Sequence, residues 1–226
     1  MANTKEINEV DKLFHERLYL ALGKDLIAGV DEVGRGPLAG PVVCASVIMP
    51  LGDDDIIEGV DDSKKLSEKK RERLAEEIKK RAIAYNICSI EPDMIDKINI
   101  LEAVKLCMAR AVSGLNVCAK AVLVDGNDIH IDFSDLANDV DIEYVVKGDA
   151  NSYTIGCASI LAKVYRDNLM VEYAKTYPEY GFEKHKGYGT KTHIESIKEK
   201  GPCRLHRKTF IKNFWVEPEK TKPTNI

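Results

Sequence analysis

The sequence predicts an α/β fold, a mixed central sheet flanked by helices, on three observations. After one short helix, the elements run β-β-α-β-α-β-β-α. Three of the strand segments are apolar and end in a carboxylate beside a glycine or at a turn. Hydrophobic residues make up 44% of the 226 positions, enough for the core of one domain of ordinary size and too many for a disordered chain.

Each element has its own signal. Residues 11–22 carry Leu13, Leu18, Leu20 and Leu22 among charges, and Gly23 stops the helix. Residues 26–33 and 41–49 are strands rich in Val and Ile. Residues 67–81 form a charged helix with Ser67 as N-cap. Lys70 stands where a capping box needs an acid. Residues 82–90 read as a strand. Residues 98–115 repeat apolar side chains at helical spacing (Ile100, Val104, Cys107, Met108, Ala111, Val112). The buried strand 121–124 ends at Asp125-Gly126, and strand 142–146 ends at Lys147-Gly148. A long helix over 150–177 is terminated by Pro178. The expected organisation is a helical extension over 1–24, the α/β domain over 25–178, and a basic helical segment with a frayed tail over 179–226.

Charge is balanced overall, with 33 Lys and Arg against 37 Asp and Glu and a formal net charge of −4. Uniform basicity therefore gives no argument for nucleic-acid binding. Local charge does: Lys184, Lys186, Lys191, Lys198, Lys200, Arg204, Arg207, Lys208 and Lys212 are opposed only by Glu195 and Glu199. Such a run is either a solvated helix face or a phosphate-binding surface. The six cysteines show no metal spacing, and no basic-then-apolar leader opens the chain, so the thiols are expected reduced and the protein cytoplasmic. No apolar run is long enough to cross a bilayer.

The strand-end acids are Asp31-Glu32, Asp125 and Asp149. In an open α/β sheet, sites form beyond the strand ends. Carboxylates converging there repel one another unless a cation sits between them, and hard oxygen ligands suit Mg²⁺ or Mn²⁺. Each acid has a plain alternative. Asp125-Gly126 is a good turn, and Asp149 can cap the following helix. Asp31 and Glu32 point to opposite faces of a regular strand, so both serve one site only if the strand bends or ends there, as Gly34 and Gly36 allow. Gly34-Arg35-Gly36-Pro37 is either a tight turn or a loop that comes close to a nucleic-acid strand; a strand rather than a helix follows it, so it is not a dinucleotide-binding loop.

Several motifs together resemble the ribonuclease HII family in its bacterial form. They are Asp31-Glu-Val-Gly-Arg-Gly-Pro-Leu-Ala-Gly-Pro-Val-Val43, Asp62-Ser-Lys-Lys-Leu66, Val124-Asp-Gly-Asn127, Lys147-Gly-Asp149, Ala158-Ser-Ile-Leu-Ala-Lys-Val164 with Arg166-Asp167, and Tyr180-Gly-Phe182 running into His185-Lys-Gly-Tyr-Gly-Thr190. The resemblance spans roughly residues 26–210. It implies an RNase H-like fold with a helical C-terminal part, cleavage of the RNA strand of RNA–DNA hybrids, and incision 5′ to a single ribonucleotide in duplex DNA, leaving 3′-hydroxyl and 5′-phosphate ends. It implies Asp31, Glu32, Asp125 and Asp149 as catalytic carboxylates around Mn²⁺ or Mg²⁺, Gly34, Arg35 and Gly36 as the loop that meets the 2′-hydroxyl, and Tyr188 as the aromatic on the neighbouring deoxyribose. It also suggests a monomer. The Gly-Arg-Gly loop and the short N-terminal segment favour type HII over ribonuclease HIII. The tail after Trp215 shows no sliding-clamp-binding motif, which argues against a clamp partner. Lys184, Lys186, Arg204 and Arg207 are expected on the phosphate backbone, with Lys163 and Arg166 of the long helix either there or in ordinary ion pairs. Two rivals are a metal-dependent DNA nuclease on the same fold, indifferent to the 2′-hydroxyl, and a hybrid-binding protein without catalysis.

Overall fold

The structure is a computed structural model and describes residues 11–127, 129–137 and 139–216. Helix α1 (Phe14–Ala21) leads into β1 (Ile27–Val33), β2 (Val42–Ile48), α2 (Glu68–Arg81), β3 (Ala84–Ile90), α3 (Pro92–Ile98), α4 (Ile100–Ser113), β4 (Ala121–Asp125) and β5 (Asp141–Val145). Then come α5 (Gly148–Asn151), α6 (Tyr153–Thr176), α7 (Phe182–His185), α8 (Lys191–Lys200) and α9 (Lys208–Ile211). The five strands order as β3-β2-β1-β4-β5, antiparallel on the β3 side of β1 and parallel on the β5 side. The sheet is mixed, as expected, with β1 at its centre.

Alternation along β1 and β2 separates two apolar layers. Ala28, Val30, Val42 and Cys44 pack on α4. Val43, Ala45 and Val47 pack with α2 and α6. Gly29 is where α6 presses onto the sheet: a Cβ there would lie 2.2 Å from the Thr154 carbonyl carbon, so no larger residue fits. A smaller cluster of Ala39, Met170, Tyr180, Phe182, Ile197, Leu205 and Ile211 joins the C-terminal helices to the end of α6 and the turn before β2.

Ser67 caps α2, its hydroxyl accepting from the Lys70 amide at 3.4 Å. The helix expected over 98–115 is two helices. Asn99 takes φ 66°, ends α3, and caps α4 by accepting from the amides of Leu101 and Glu102. The helix expected over 150–177 is also divided. Ser152 is extended (φ −128°, ψ 133°) between α5 and α6, and its hydroxyl, not Asp149, caps the long helix. All six cysteines are free thiols, with Cys44, Cys107 and Cys157 buried and Cys118 exposed. No helix among the described residues is long and apolar enough to cross a membrane.

Candidate metal centre and nucleic-acid interface

Register explains how the acids meet. Strands β1 and β4 pair in parallel through Val30↔Val124, so Asp31 and Asp125 emerge side by side at the same sheet edge. Beyond that pair, β1 keeps β2 on one flank, and Glu32 still reaches the same corner. Asp31, Glu32 and Asp125 each offer a carboxylate oxygen, and these oxygens lie within 4.8 Å of one another. Among the described residues this is the only group of acids, histidines or cysteines gathered closely enough to hold a metal ion. Contrary to expectation, β1 neither bulges nor ends between Asp31 and Glu32, since its pairing with β2 runs on to Val33↔Val43; an Asp31 carboxylate oxygen accepts from the Glu32 amide at 2.6 Å.

The fourth acid stands one step away. Asp149 lies in the first turn of α5, and the adjacent Gly148 amide donates to Asp125 Oδ1 at 2.7 Å. Asp149 Oδ2 lies 3.6 Å from Lys64 Nζ. A Cβ on Gly148 would crowd this contact, lying 3.1 Å from Asp125 Oδ1 and 2.6 Å from Ile155 Cδ1. Lys147 before it adopts a left-handed conformation (φ 54°, ψ 45°), uncommon for a side chain of this size.

Three buried or half-buried carboxylates in one corner raise one another's proton affinity. Burial, then Glu32 and Asp125, hold Asp31 well above the usual carboxylate range. Burial also raises Glu32, with Arg35 pulling it down and Asp125 pushing it up. Burial, then Asp149, raises Asp125, while the Gly148 amide opposes the shift. A hydrogen bond from Ser159 favours the charged form of Asp31, and the Ser159 hydroxyl is 2.9 Å from that of Ser63. An all-oxygen, mutually repelling set fits a hard divalent cation, which would remove the repulsion. Asp31, Glu32 and Asp125 would hold such an ion directly.

The Asp62–Leu66 motif lies beside the site. Lys64 from that motif faces the acids. Partial burial lowers its proton affinity, and Asp149, Asp31, Asp62 and Asp125 more than offset this, so its pKa rises. Arg71 of α2 holds the motif in place, donating to the Ser63 and Leu66 carbonyls.

Next to the acids lies the Gly34–Gly36 loop. Gly34 has φ 95°, and a Cβ there would meet Arg166 Nε at 2.4 Å. A Cβ on Gly36 would have only Tyr188 Cε1 near it, at 3.9 Å, so the loop and the Tyr188 ring are neighbours. Tyr188 is 44% exposed, an aromatic face open to a ligand. The amides of Leu38 and Ala39 donate to the Gly187 carbonyl at 2.8 and 3.3 Å, tying the two segments together.

Arg207, expected on phosphate, and Arg166, expected either there or in an ordinary ion pair, are both 0% exposed. Arg166 donates to the carbonyls of Pro41, Lys186 and Ala39 at 3.0, 2.9 and 3.1 Å. Arg207 donates to those of Gly40, Arg35 and Gly34, the last at 2.6 Å. Their donors face backbone carbonyls rather than solvent, so these arginines shape the loop. Lys163 is half-buried and paired with Asp167 at 2.8 Å. Lys184 and Arg204 are exposed, and the Lys186 ammonium bonds the Glu183 carbonyl.

A family model described as Ribonuclease HII matches residues 28–217. The chain belongs to the ribonuclease HII family. Ribonuclease HII of Caldicellulosiruptor bescii is 51% identical over 200 residues, covering 88% of this chain and 93% of that protein. Ribonuclease H2 from Pyrococcus horikoshii OT3 superposes with a TM-score of 0.68 at 28% identity, covering 81% of this chain and 92% of that one. The ribonuclease HII of Archaeoglobus fulgidus, solved in complex with PCNA, gives a TM-score of 0.69 at 28% identity, covering 86% and 98%. The fold is RNase H-like, and by family this ribonuclease HII is a metal-dependent endonuclease.

Proposed function

We propose that the chain hydrolyses the RNA strand of RNA–DNA hybrids and incises duplex DNA 5′ to a single embedded ribonucleotide, leaving 3′-hydroxyl and 5′-phosphate ends. The observation that carries this reading is the gathering of Asp31, Glu32 and Asp125 within 4.8 Å, beside a glycine loop and an exposed tyrosine ring. Asp31, Asp125 and Glu32 would hold Mg²⁺ or Mn²⁺, and Asp149 would orient the attacking water or help to hold a second ion. The chemistry such ions supply when bound is a polarised scissile phosphate, a more acidic water and a stabilised leaving 3′-oxygen.

Backbone groups of Gly34, Arg35 and Gly36 read the 2′-hydroxyl, the atom that distinguishes RNA from DNA at one sugar. The Tyr188 ring packs on the deoxyribose that follows. Lys184, Lys186, Arg204 and Lys64 meet backbone phosphate, which gives affinity without base sequence. Arg166 and Arg207 act through the loop they hold. The protein acts as a cytoplasmic monomer. The tail after Trp215, whose sequence argues against a clamp partner, lies outside the described residues from 217 on.

The test is cleavage of an end-labelled duplex carrying one ribonucleotide, beside an all-DNA duplex, each with Mg²⁺ or Mn²⁺ and with chelator. A single metal-dependent cut 5′ to the ribonucleotide and none in plain DNA is expected. Equal cutting of both duplexes would favour a DNA nuclease, and binding that persists in chelator with no cutting when metal returns would favour a non-catalytic binder. Affinity for a hybrid is expected to fall about tenfold or more between low and roughly 0.2 M salt.

A further inference from the structure

We propose that α1 and its flanks position Asp149, with Glu16 as the positioning residue; this rests on the reading of Asp149 as part of the metal site. Glu16 is 0% exposed on a helix that leaves Phe14, Leu18 and Leu20 in solvent. One of its carboxylate oxygens accepts from the Ser152 hydroxyl at 2.7 Å, the Thr154 amide at 2.9 Å and the Thr154 hydroxyl at 2.9 Å. The other is buried without a protein partner. A buried carboxylate is an expensive way to fasten a helix when an apolar contact would serve, so its directionality is what it contributes. All three bonds go to residues 152–154, the junction directly after the turn that carries Asp149. Ser152 is also the cap of α6, accepting from the Ile155 amide at 3.2 Å while it donates to Glu16. The Glu16 carboxylate thus meets the first turn of a 24-residue helix, where negative charge is favoured.

The other root of the Asp149 turn is tied to the same segment. His15 Nδ1 lies 2.8 Å from Glu143 Oε1, and Lys24 Nζ lies 2.7 Å from Asp141 Oδ2, both acids on β5. The Tyr153 amide donates to the Lys12 carbonyl at 2.8 Å. Lys12 Nζ reaches across to the Val60 carbonyl and Asp61 at 2.9 and 2.8 Å, just before the motif that presents Lys64 to Asp149. Residues 12–24 therefore brace the chain before and after Asp149, and the approach to its lysine neighbour. Between the braces, Lys147 keeps a left-handed backbone that its surroundings must hold.

The experiment uses the full chain and a double-mutant cycle between Glu16→Ala and Asp149→Asn, with kcat and KM on the single-ribonucleotide duplex, Mn²⁺ affinity by electron paramagnetic resonance, and melting temperature. Glu16→Ala is expected to lower kcat, Mn²⁺ affinity or both by about tenfold to a hundredfold with KM little changed, at a temperature where circular dichroism shows it folded. In the Asp149→Asn background it is expected to cost almost nothing further. Glu16→Gln keeps an acceptor for the Thr154 amide and is expected to recover most of the loss; it also replaces Glu16→Ala in the cycle if that variant fails to fold. A variant that melts lower but keeps kcat and Mn²⁺ affinity, or whose loss adds in full to that of Asp149→Asn, would overturn the proposal. Full activity in Asp149→Asn alone would instead remove the reading of Asp149 on which it rests.

Discussion

Arg207 Nη2 donates to the Gly34 carbonyl at 2.6 Å, joining positions 173 residues apart in the chain. Its guanidinium also spans the carbonyls of Arg35 and Gly40, and its carbon sits 5.1 Å from the centre of the Phe210 ring. Burial, and then the neighbouring Arg166, push the Arg207 pKa down to about 9, so it still carries its charge at neutral pH. Two buried cations thus hold the glycine loop and the turn that follows it through backbone acceptors.

The first prediction concerns that fork. Arg207→Lys keeps the charge but cannot serve three carbonyls with fixed planar geometry. It is expected to cost about 2 kcal/mol or more in stability, since hydrogen bonds to charged groups contribute about 1.5–3 kcal/mol each. On the single-ribonucleotide duplex, kcat/KM should fall by about tenfold to a hundredfold, while affinity for the same all-DNA duplex stays within about twofold. Parallel kinetics and binding on the two duplexes check this. An equal drop in affinity for both would mean that Arg207 serves general binding.

The second prediction follows from the repulsion among Asp31, Glu32 and Asp125. Their raised pKa values mean that, at neutral pH without metal, the folded protein carries charges it would rather neutralise. Asp31→Asn should therefore melt higher than the wild type in chelator, by several degrees for about 1–2 kcal/mol. Cleavage should fall by about a thousandfold or more. Saturating Mn²⁺ should reverse the order, because it stabilises only the protein that binds it. The sign with pH is also fixed: these carboxyls bind more protons folded than unfolded, so metal-free wild type should gain stability as pH falls from 7 through the raised pKa values. Calorimetry with chelator and with Mn²⁺ tests both statements.

How much of this the sequence shows depends on the kind of force involved. Asp31 and Asp125 are legible because each directly follows an apolar run, and burial patterning is a local property of the chain. The same local logic finds Ser67 as a cap. It fails at Asn99, because Ile98 and Ile100 continue the apolar rhythm across it and only the backbone reversal at φ 66° breaks the helix. It fails for Arg166 and Arg207, since a basic residue among basic residues reads as solvated surface. Apart from Lys186 for Arg166, their acceptors are carbonyls more than a hundred residues away in the chain. Glu16 is hidden for the same reason, as one acid in a charged helix whose partners lie beyond residue 150.

The third prediction concerns the hydroxyl pair behind Asp31. Ser159 on α6 favours the Asp31 carboxylate by hydrogen bonding and is in turn 2.9 Å from Ser63, in the motif that carries Lys64. Outer partners of this kind orient a ligand and raise its basicity. Ser159→Ala is expected to weaken Mn²⁺ binding and lower kcat about tenfold to a hundredfold, with melting changed little in chelator. Ser63→Ala should act in the same direction but more weakly, because it acts through Ser159. Titration with Mn²⁺ on each variant, and on the double variant to detect non-additivity, checks the order.

The fourth prediction comes from the histidines beneath Tyr188. His193 and His206 are 0% and 2% exposed, with their Nε2 atoms 3.1 Å apart. His193 Nδ1 faces the Tyr188 carbonyl at 2.8 Å, so it carries a proton, and His206 Nδ1 accepts from the Cys203 amide at 3.0 Å, so it does not. One proton, on His206 Nε2, then fills the space between the rings. A second has no room there, and burial is the main cause that brings both residues from the ordinary 6.5 to about 4. The unfolded chain takes up protons first, so this stability is complete above about pH 6.5 and is lost as pH falls toward 4. The carboxylate corner shifts stability the opposite way, so the clean reading is a difference between proteins. His206→Gln should melt below the wild type at pH 7.5, and the gap should narrow steadily between pH 6.5 and 5 in chelator. Because the folded pair stays neutral until about pH 4, His193 keeps its hold on the Tyr188 carbonyl over the same interval, and this pair should leave KM for the ribonucleotide duplex unchanged there. A gap that stays constant with pH would mean that the pair titrates alike in the folded and unfolded chain.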